Sequence, residues 1–376
     1  MKVINILIPI FVILTISLSY SQVVQVGNSE LLFSSFWDFY SYNRLSTSAC
    51  GKGYTGIGDT NGIDGVILNP ASLSIGDRYQ FYFEYIYKNN VQWLKGLFDN
   101  LYLKELHPTF LIGAGFNLND YLSTGIVYCT NNSYKMDSIE SAITDEYGNI
   151  IDSVYIFNEL KISSFLIPII FSYKDIIKLG VNLSYSNYTS RDIWIEKDTG
   201  KVSFNKFIPK FGVIVFPLKN LSIGLTYLPE TKETITKKWT NREDEEYQPN
   251  VFPLRFGVGI QYELNAIPIS FSLDYNYSND SKDIILENRK DIHFGLEYDI
   301  IKNLALRAGF FSQRDYRSKN INWFDAIGDY DQIFTTLGLS YKITYFTLNL
   351  SMMNSNLFSK GKIEQTYINV GVNYNL

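Results

Sequence analysis

The sequence has few residues of the kinds that carry catalysis and covalent cross-links. Its 376 residues include two cysteines, two histidines and ten prolines. Cys50 and Cys129 lie far apart and have no metal-ligand spacing, so they either pair with each other or are both free. Neither His107 nor His293 belongs to a Gly-x-Ser-x-Gly turn, a phosphate-binding loop or a metal-ligand cluster. We therefore expect no enzyme activity, no cofactor and no metal.

The sequence also has no excess of positive charge and, apart from its N-terminus, no long run of apolar residues. Lys and Arg number 33 against 38 Asp and Glu, and the formal net charge is −5. With no basic stripe to neutralise phosphates, nucleic acid is excluded as an expected partner. Hydrophobic residues make up 46% of the chain and aromatic residues 16%, yet the mean hydropathy is −0.05. The apolar residues are therefore dispersed, whereas a membrane helix needs a run of roughly 20.

The first 21 residues have the pattern of a secretory signal peptide. Lys2 provides the positive start, and an apolar stretch follows from Val3 to Leu18. Ser19 and Ser21 place small residues at the −3 and −1 positions of a cleavage site before Gln22. The alternative is a single membrane anchor, but the stretch is short. The pattern predicts export, with residues 1–21 removed.

From residue 79 to the end, apolar and polar residues alternate in segments of about ten. In the last segment Ile368, Val370 and Val372 alternate with Asn369, Gly371 and Asn373, and Tyr374 and Leu376 continue the apolar series. A period of two predicts strands whose faces meet different environments. The predicted strands are 79–88, 109–118, 121–130, 163–173, 177–188, 207–217, 221–228, 252–263, 267–277, 291–301, 304–315, 332–342, 346–355 and 366–376.

Short and long connections alternate between these strands. The short turns are at 119–120, 174–176, 219–220, 264–266, 302–303 and 344–345, and the long polar stretches are 89–108, 131–162, 189–206, 229–251, 278–290, 316–331 and 356–365. Tight periplasmic turns and long external loops are typical of outer-membrane barrels, and 9–11 residues suffice for a tilted strand to cross the membrane. The pattern predicts an all-β fold: a transmembrane antiparallel β-barrel of about 14 strands over residues 79–376, in contact with outer-membrane lipid.

The two faces of the predicted strands differ in chemistry. The apolar faces often finish in tyrosine, which suits the boundary between lipid and headgroups, as at Tyr185, Tyr227, Tyr262, Tyr298, Tyr341 and Tyr374. The charged residues expected to face the lumen are Glu84, Arg255, Glu263, Asp274, His293, Glu297 and Arg307. Apolar residues expected there are Leu111, Val127, Ile214, Phe216, Phe311 and Phe334. Such apolar patches suit either a route for a hydrophobic ligand or packing against an internal plug.

Residues 22–78 do not alternate and are rich in glycine. Glycine allows close backbone packing in a crowded lumen, and Asn69-Pro70 favours a turn. This composition predicts an N-terminal plug inside the barrel; the alternative is a glycine-rich linker. The stretch from Asp59 to Asp64 resembles the start of a calcium-binding loop, but Pro70 stands where the bidentate Glu is required, so calcium binding is not expected.

A more specific resemblance lies within this region. The residues that carry it are Thr47 to Gly53, then Gly56, Ile57, Gly58 and Asp59, then Asn69, Pro70, Ala71 and Leu73. Together they resemble the N-terminal signature of the FadL-like superfamily, which runs from a glycine-rich stretch to Asn-Pro-Ala-Gly-Leu. Ser72 stands where that family usually has glycine. The resemblance implies a 14-stranded barrel whose plug, with Gly56, Gly58, Asp59, Asn69, Pro70, Ala71 and Leu73, has the role of a gate.

The C-terminus carries a second resemblance. Gly371 followed by Tyr374 and Leu376 is similar to the C-terminal insertion signal of outer-membrane barrels, although the usual last residue is Phe. This similarity implies that the barrel-assembly machinery is a partner.

The FadL-like superfamily offers two functions. Its long-chain fatty acid transporters imply passive uptake of hydrophobic small molecules. Its PorV/PorQ-type proteins imply an accessory role in the type IX secretion system, with secretion-system proteins as partners. The charged stretch from Thr231 to Asn250 suits a partner or simple solvation. A purely structural role in the outer membrane is the third hypothesis.

Overall fold

The computed structural model describes residues 45–60, 62–74, 78–88, 91–92, 102–104, 108–144, 150–193, 199–241, 243–279, 287–314, 331–355, 357–358 and 365–376. The predicted signal peptide and the first part of the predicted plug region therefore lie outside the described residues. The described strands are β1 (Tyr79–Lys88), β2 (Val91–Gln92), β3 (Tyr102–Lys104), β4 (Thr109–Asn117), β5 (Leu122–Thr144), β6 (Ile150–Tyr173), β7 (Ile177–Ile193), β8 (Thr199–Leu218), β9 (Leu221–Leu228), β10 (Thr231–Trp239), β11 (Glu245–Phe252), β12 (Arg255–Glu263), β13 (Ile269–Ser278), β14 (Arg289–Ile301), β15 (Leu304–Gln313), β16 (Gln332–Ile343), β17 (Phe346–Asn354) and β18 (Thr366–Asn375).

Fourteen of these strands form a closed antiparallel barrel. β1 pairs with β4, and the sheet then continues through β5 to β9, crosses directly from β9 to β12, and runs on to β18. β18 pairs with β1 from Gln80↔Asn375 to Lys88↔Tyr367, which closes the ring. Closure leaves no free sheet edge at this seam, as a barrel in lipid requires. The predicted barrel of 14 strands is confirmed.

The alternation in sequence places apolar side chains outside the ring. On β1, Phe81 and Phe83 are 45% and 48% exposed, whereas Glu84, the residue after Phe83, is fully buried. The same outward face on other strands carries the predicted tyrosines Tyr185, Tyr227, Tyr262, Tyr298 and Tyr341, all exposed. A soluble protein rarely exposes so continuous an apolar surface, because water contact with it is unfavourable. This surface faces lipid.

The strands end at the predicted short turns but run further at the opposite end. The turns are at 118–121, 174–176, 219–220, 264–268, 302–303 and 344–345. The prediction that 131–162 and 189–206 are loops is wrong: β5 and β6 continue to Thr144 and Ile150, and β7 and β8 to Ile193 and Thr199. The sequence of these extensions is more polar than that of the other barrel strands, but the backbone pairing of the hairpins continues.

The charged stretch 229–251 is also not a loop. It forms the hairpin β10–β11, which pairs with the outer end of β8 through Lys237↔Val202 and Trp239↔Gly200. Because β9 and β12 pair directly, this hairpin is inserted between neighbouring barrel strands and is not part of the ring.

Residues 45–60 and 62–74, here called the inner segment, lie inside the ring. They contain the helix α1 (Thr47–Gly51) and two 3₁₀ helices, Ile63–Ile67 and Pro70–Ser72. Ser46 caps α1 by accepting a hydrogen bond from the Ala49 N–H, and Asn69 caps the second 3₁₀ helix in the same way, with Pro70 at its first position. No helix in the described part of the chain is long and apolar enough to cross a membrane.

Candidate functional site

Two buried carboxylates of the wall hold the backbone of the inner segment. Glu84 on β1 accepts hydrogen bonds from the Ser46 N–H (2.9 Å) and from the backbone and hydroxyl of Thr47 (2.5 and 2.7 Å). The Tyr82 hydroxyl donates a further bond to it (2.6 Å). These N–H groups open α1 and have no partner within the helix, so the carboxylate supplies what the short helix lacks.

Asp274 makes the equivalent contact on the far side of the ring. Its Oδ2 accepts hydrogen bonds from the N–H groups of Gly56 (2.8 Å) and Ile57 (3.0 Å). β1 and β13 are separated by several strands in either direction round the barrel. Residues 46–57 are therefore held at both ends, against separate parts of the wall.

Most of the remaining contact is made through glycines of the wall. Ten barrel strands carry an inward-facing glycine at which an added Cβ would meet the inner segment: Gly113, Gly125, Gly180, Gly212, Gly224, Gly257, Gly259, Gly295, Gly309, Gly338 and Gly371. We call this set the glycine belt. At Gly180 the added atom would overlap the backbone of Pro70 and Ala71, and at Gly224 that of Ile57. The segment thus packs backbone to backbone on the wall, which only glycine permits.

The predicted motif residue Asn69 connects parts of the inner segment. Its Nδ2 donates to the Ile57 carbonyl (2.6 Å), and its Oδ1 accepts from the Ala71 N–H (2.9 Å). From the wall, Asn182 donates to Val66 (2.6 Å), and the Lys210 ammonium donates to Ile67 and Leu68 (2.8 and 2.6 Å). Inside the described lumen, the segment is thus hydrogen-bonded along most of its length.

Two ion pairs lie within or beside the inner segment. Lys52 pairs with the predicted motif residue Asp59, and Arg307 pairs with Glu297 on the wall. Burial lowers the pKa of Lys52, but the attraction of Asp59 and Glu297 outweighs it and holds the pKa above its ordinary value of 10.5. Lys52 is therefore charged, and its charge is matched within the lumen.

A vestibule lies between the inner segment and the outer ends of the strands. One cavity, of about 350 Å³, has apolar lining residues that include Leu45, Leu166, Ile208 and Leu228; we call it the apolar lobe. A neighbouring cavity of about 290 Å³, the polar lobe, is lined by Asn276, Arg289, Asp291 and His293 among others. Both lobes share the lining residues Tyr54, Ile67, Lys210, Leu228 and Arg255. The vestibule can hold a molecule with an apolar body and a polar end.

The remaining residues singled out in the sequence are distributed over several places. Arg255 lies at the junction of the two lobes, and its buried Nε has no hydrogen-bond partner among the described residues. The His293 Nδ1 lies 3.0 Å from the Gly53 carbonyl. Glu263 has the inward register but is exposed at the periplasmic end of β12, so it does not join the other lumen carboxylates. The reason is position: the strand ends there.

Three further sets of residues also have a place. Leu111, Val127, Ile214, Phe311 and Phe334 are fully buried, and Phe216 is partly exposed. Gly371 faces Thr47, Tyr374 packs on Phe346 with ring centroids 4.6 Å apart, and Leu376 is exposed. Cys50 and Cys129 are both buried and do not form a disulfide with each other. His107 lies outside the described residues.

The sequence did not predict that the glycine belt and Tyr54 belong to the site. It also did not predict the two side chains that bind the 3₁₀ helices, Asn182 and Lys210. A signal for the belt was present, because each belt glycine lies at a lumen-facing position of an alternating strand. Among the residues that the structure describes, no group of three or more His, Cys, Asp or Glu could hold a metal ion.

A closed ring of fourteen antiparallel strands, apolar outside and filled by its own N-terminal segment, defines a bacterial outer-membrane barrel. The sequence matches the Gram-negative porin family over residues 173–376, more than half of the chain, and the protein belongs to that family. No curated protein matches the sequence.

Three solved structures share the fold. A FadL homologue from Pseudomonas aeruginosa is 9% identical, with a TM-score of 0.64 over 89% of this chain and 99% of that one. The toluene transporter TbuX from Ralstonia pickettii is 13% identical, with a TM-score of 0.64 over 90% and 98%. The toluene transporter TodX from Pseudomonas putida is 13% identical, with a TM-score of 0.59 over 89% and 98%. The fold is therefore FadL-like.

Proposed function

We propose that this barrel transports hydrophobic small molecules passively across the outer membrane, with the inner segment as its gate. The observation that carries the proposal is the vestibule: a cavity of about 350 Å³, with Leu166, Ile208 and Leu228 beside polar side chains in its lining, lies next to the inner segment. An open porin for polar solutes needs a water-filled channel lined by polar side chains. The close contacts between the glycine belt and the inner segment support a closed lumen instead.

The lining of the vestibule supports a hydrophobic cargo with one polar end. Leu166, Ile208 and Leu228 present aliphatic carbon, and burying apolar area there is favourable by about 25 cal/mol per Å². Arg255 and Lys210 border both lobes and favour an electronegative end on the cargo. The FadL-like fold, shared with two toluene transporters, is consistent with this class of cargo.

Transport past the inner segment requires that some of its contacts to the wall break. The contacts around Asn69, Pro70 and Ala71 lie against Gly180 and Gly212 of β7 and β8, two strands that also line the apolar lobe. In this proposal a bound cargo displaces that part of the segment, while Glu84 and Asp274 hold residues 46–57 in place.

Uptake of a labelled medium-chain fatty acid, short enough for a cavity of about 350 Å³, tests the proposal in a bacterial host that lacks its own uptake barrel. Cells that express the protein should take up the label faster than cells without it. Leu228→Trp should reduce uptake towards the level of the empty host, because Leu228 lines both lobes. Leu225→Trp is the matched control, since Leu225 lies three residues away and faces lipid. Equal uptake with and without the protein would show that the proposal is wrong.

A further inference from the structure

The two lobes of the vestibule are neighbours that share part of their lining. Five residues line both cavities, and Tyr54 is the aromatic one among them. Its ring is half-buried and lies 6.1 Å from the His293 ring and 6.4 Å from the Phe311 ring, measured between centroids. Tyr54 and Ile67 are thus the two residues of the inner segment that lie where the lobes meet, and Tyr54 has the larger side chain.

The backbone at this position is unusual for a tyrosine. Gly53 has a φ of 65° and Tyr54 a φ of 58°, so two successive residues are left-handed. Glycine adopts this conformation readily, whereas a bulky residue does so rarely. The conformation is held by the Tyr54 N–H, which donates to the Ala49 carbonyl (2.8 Å), and by the Gly53 N–H, which donates to the Thr336 hydroxyl (2.8 Å). A strained residue at a cavity wall points to a role for its side chain.

The small size of the apolar lobe indicates what the Tyr54 side chain does there. A cavity of about 350 Å³ is near the lower end of the 300–1,000 Å³ range of ligand sites. Removing the Tyr54 side chain would widen the connection between this lobe and the polar lobe of about 290 Å³. The Tyr54 side chain therefore limits the length of an apolar ligand that can lie in this lobe.

We propose that Tyr54 determines the size selectivity of the barrel, by restricting the apolar lobe to short ligands and excluding longer chains. This inference rests on the proposed function, because it assumes that the vestibule receives the cargo. Tyr54 acts as a specificity-determining residue: its ring closes one end of the lobe.

A series of 1-alkanols from hexanol to hexadecanol tests the inference, because these ligands differ only in length and carry no charge that Arg255 would attract. The full chain is held in lipid nanodiscs, and binding is measured by isothermal titration, with partition into empty nanodiscs subtracted. For the wild type, affinity should rise about fourfold per methylene until the lobe is full, and then level off. Tyr54→Gly should move this limit several methylenes higher, whereas Tyr54→Phe, which keeps the ring, should leave it unchanged.

Tyr54→Asn provides a second small variant, since asparagine also tolerates a left-handed backbone. Heat-modifiable migration on gels checks that each variant is folded. An unchanged length limit in the folded small variants would overturn the role of Tyr54 and leave the transport proposal standing. Absence of alkanol binding by the wild type would overturn both.

Discussion

At the scale of single residues, the inner segment is held by buried acidic side chains of the wall. Glu84 is fully buried, yet it accepts four hydrogen bonds, three of them from Ser46 and Thr47. A buried carboxylate is tolerated only with such compensation. The wall therefore contributes charged groups to positions where the inner segment has unpaired donors.

Replacing Glu84 should loosen the start of the inner segment. In Glu84→Ala the N–H groups of Ser46 and Thr47 lose their acceptor, at a cost of about 1–3 kcal/mol for each buried donor. We expect higher ion conductance in planar bilayers, because α1 no longer fills its part of the lumen. Glu263→Ala is the control, since Glu263 is exposed at the rim. Equal conductance of the two variants would contradict the prediction.

Asp64 should make stability depend on pH. Burial raises the pKa of Asp64 above its ordinary value of 3.8, although the hydroxyls of Ser46 and Ser48 donate to it at 2.6 and 3.0 Å. Because the folded pKa is raised, the stabilisation is complete below the ordinary value and is lost as pH rises through the folded value.

Asp64→Asn should therefore gain stability relative to the wild type as pH rises from 3.8 through the folded pKa, and lose this advantage in acid. Asparagine keeps an oxygen that accepts hydrogen bonds from the serines but carries no charge. Thermal unfolding midpoints of both proteins, measured between acid and neutral pH, provide the check. A difference that is independent of pH would show that ionisation of Asp64 is not the cause.

At the scale of elements, the strands can contact the inner segment closely because many of the wall residues that face it are glycines, which have no side chain. The belt glycines of ten strands allow backbone contact all round the ring, and the two strands β1 and β13 contribute Glu84 and Asp274 instead. Close-packed interiors do not accept extra atoms without strain. Each belt position is therefore as restrictive as a core position of a soluble protein.

A side chain at Gly180 should displace the second 3₁₀ helix. In Gly180→Val the new Cβ overlaps the backbone of Pro70 and Ala71, and overpacking of this kind costs about 1–3 kcal/mol or more. We expect a lower unfolding midpoint in denaturant and a higher open-channel conductance. Val181→Leu, at the lipid-facing neighbour, should behave as the wild type. A Gly180→Val protein of unchanged midpoint would mean that the segment can shift without cost.

The barrel strands were predictable because lipid and lumen impose opposite demands on successive residues. Tyr79–Lys88 and Leu221–Leu228 begin and end where the alternation does. The outer halves of β5 to β8 were not predictable, since water lies beyond the lipid and the outward side chains there need not be apolar. The contact of Glu84 with Thr47 also could not be predicted, because it depends on how the inner segment crosses the lumen and alternation is silent about that path.

At the scale of the whole molecule, the barrel and its outer hairpins are separable. β9 and β12 pair from Leu228↔Arg255 to Leu221↔Tyr262, and the β10–β11 hairpin pairs with the outer end of β8. The ring does not need the hairpin for its closure.

Replacing residues 232–251 by a short turn should therefore preserve the barrel. Because Leu228 already lies opposite Arg255, a few residues such as Asn-Gly suffice to connect the strands. We expect outer-membrane insertion and heat-modifiable migration equal to those of the full chain. Failure of the shortened chain to insert, in the same cells in which the full chain inserts, would show that the hairpin is needed for assembly.

The place where the ring closes has a consequence for biogenesis. Thr47 binds Glu84 on the first strand and lies against Gly371 on the last, and those two strands meet only when the sheet becomes a cylinder. In an unfinished sheet that is still open at this junction, the first and last strands cannot both contact α1. Docking of the N-terminal residues thus stabilises the closed barrel, and a chain whose N-terminal residues stayed outside the barrel would lack these contacts.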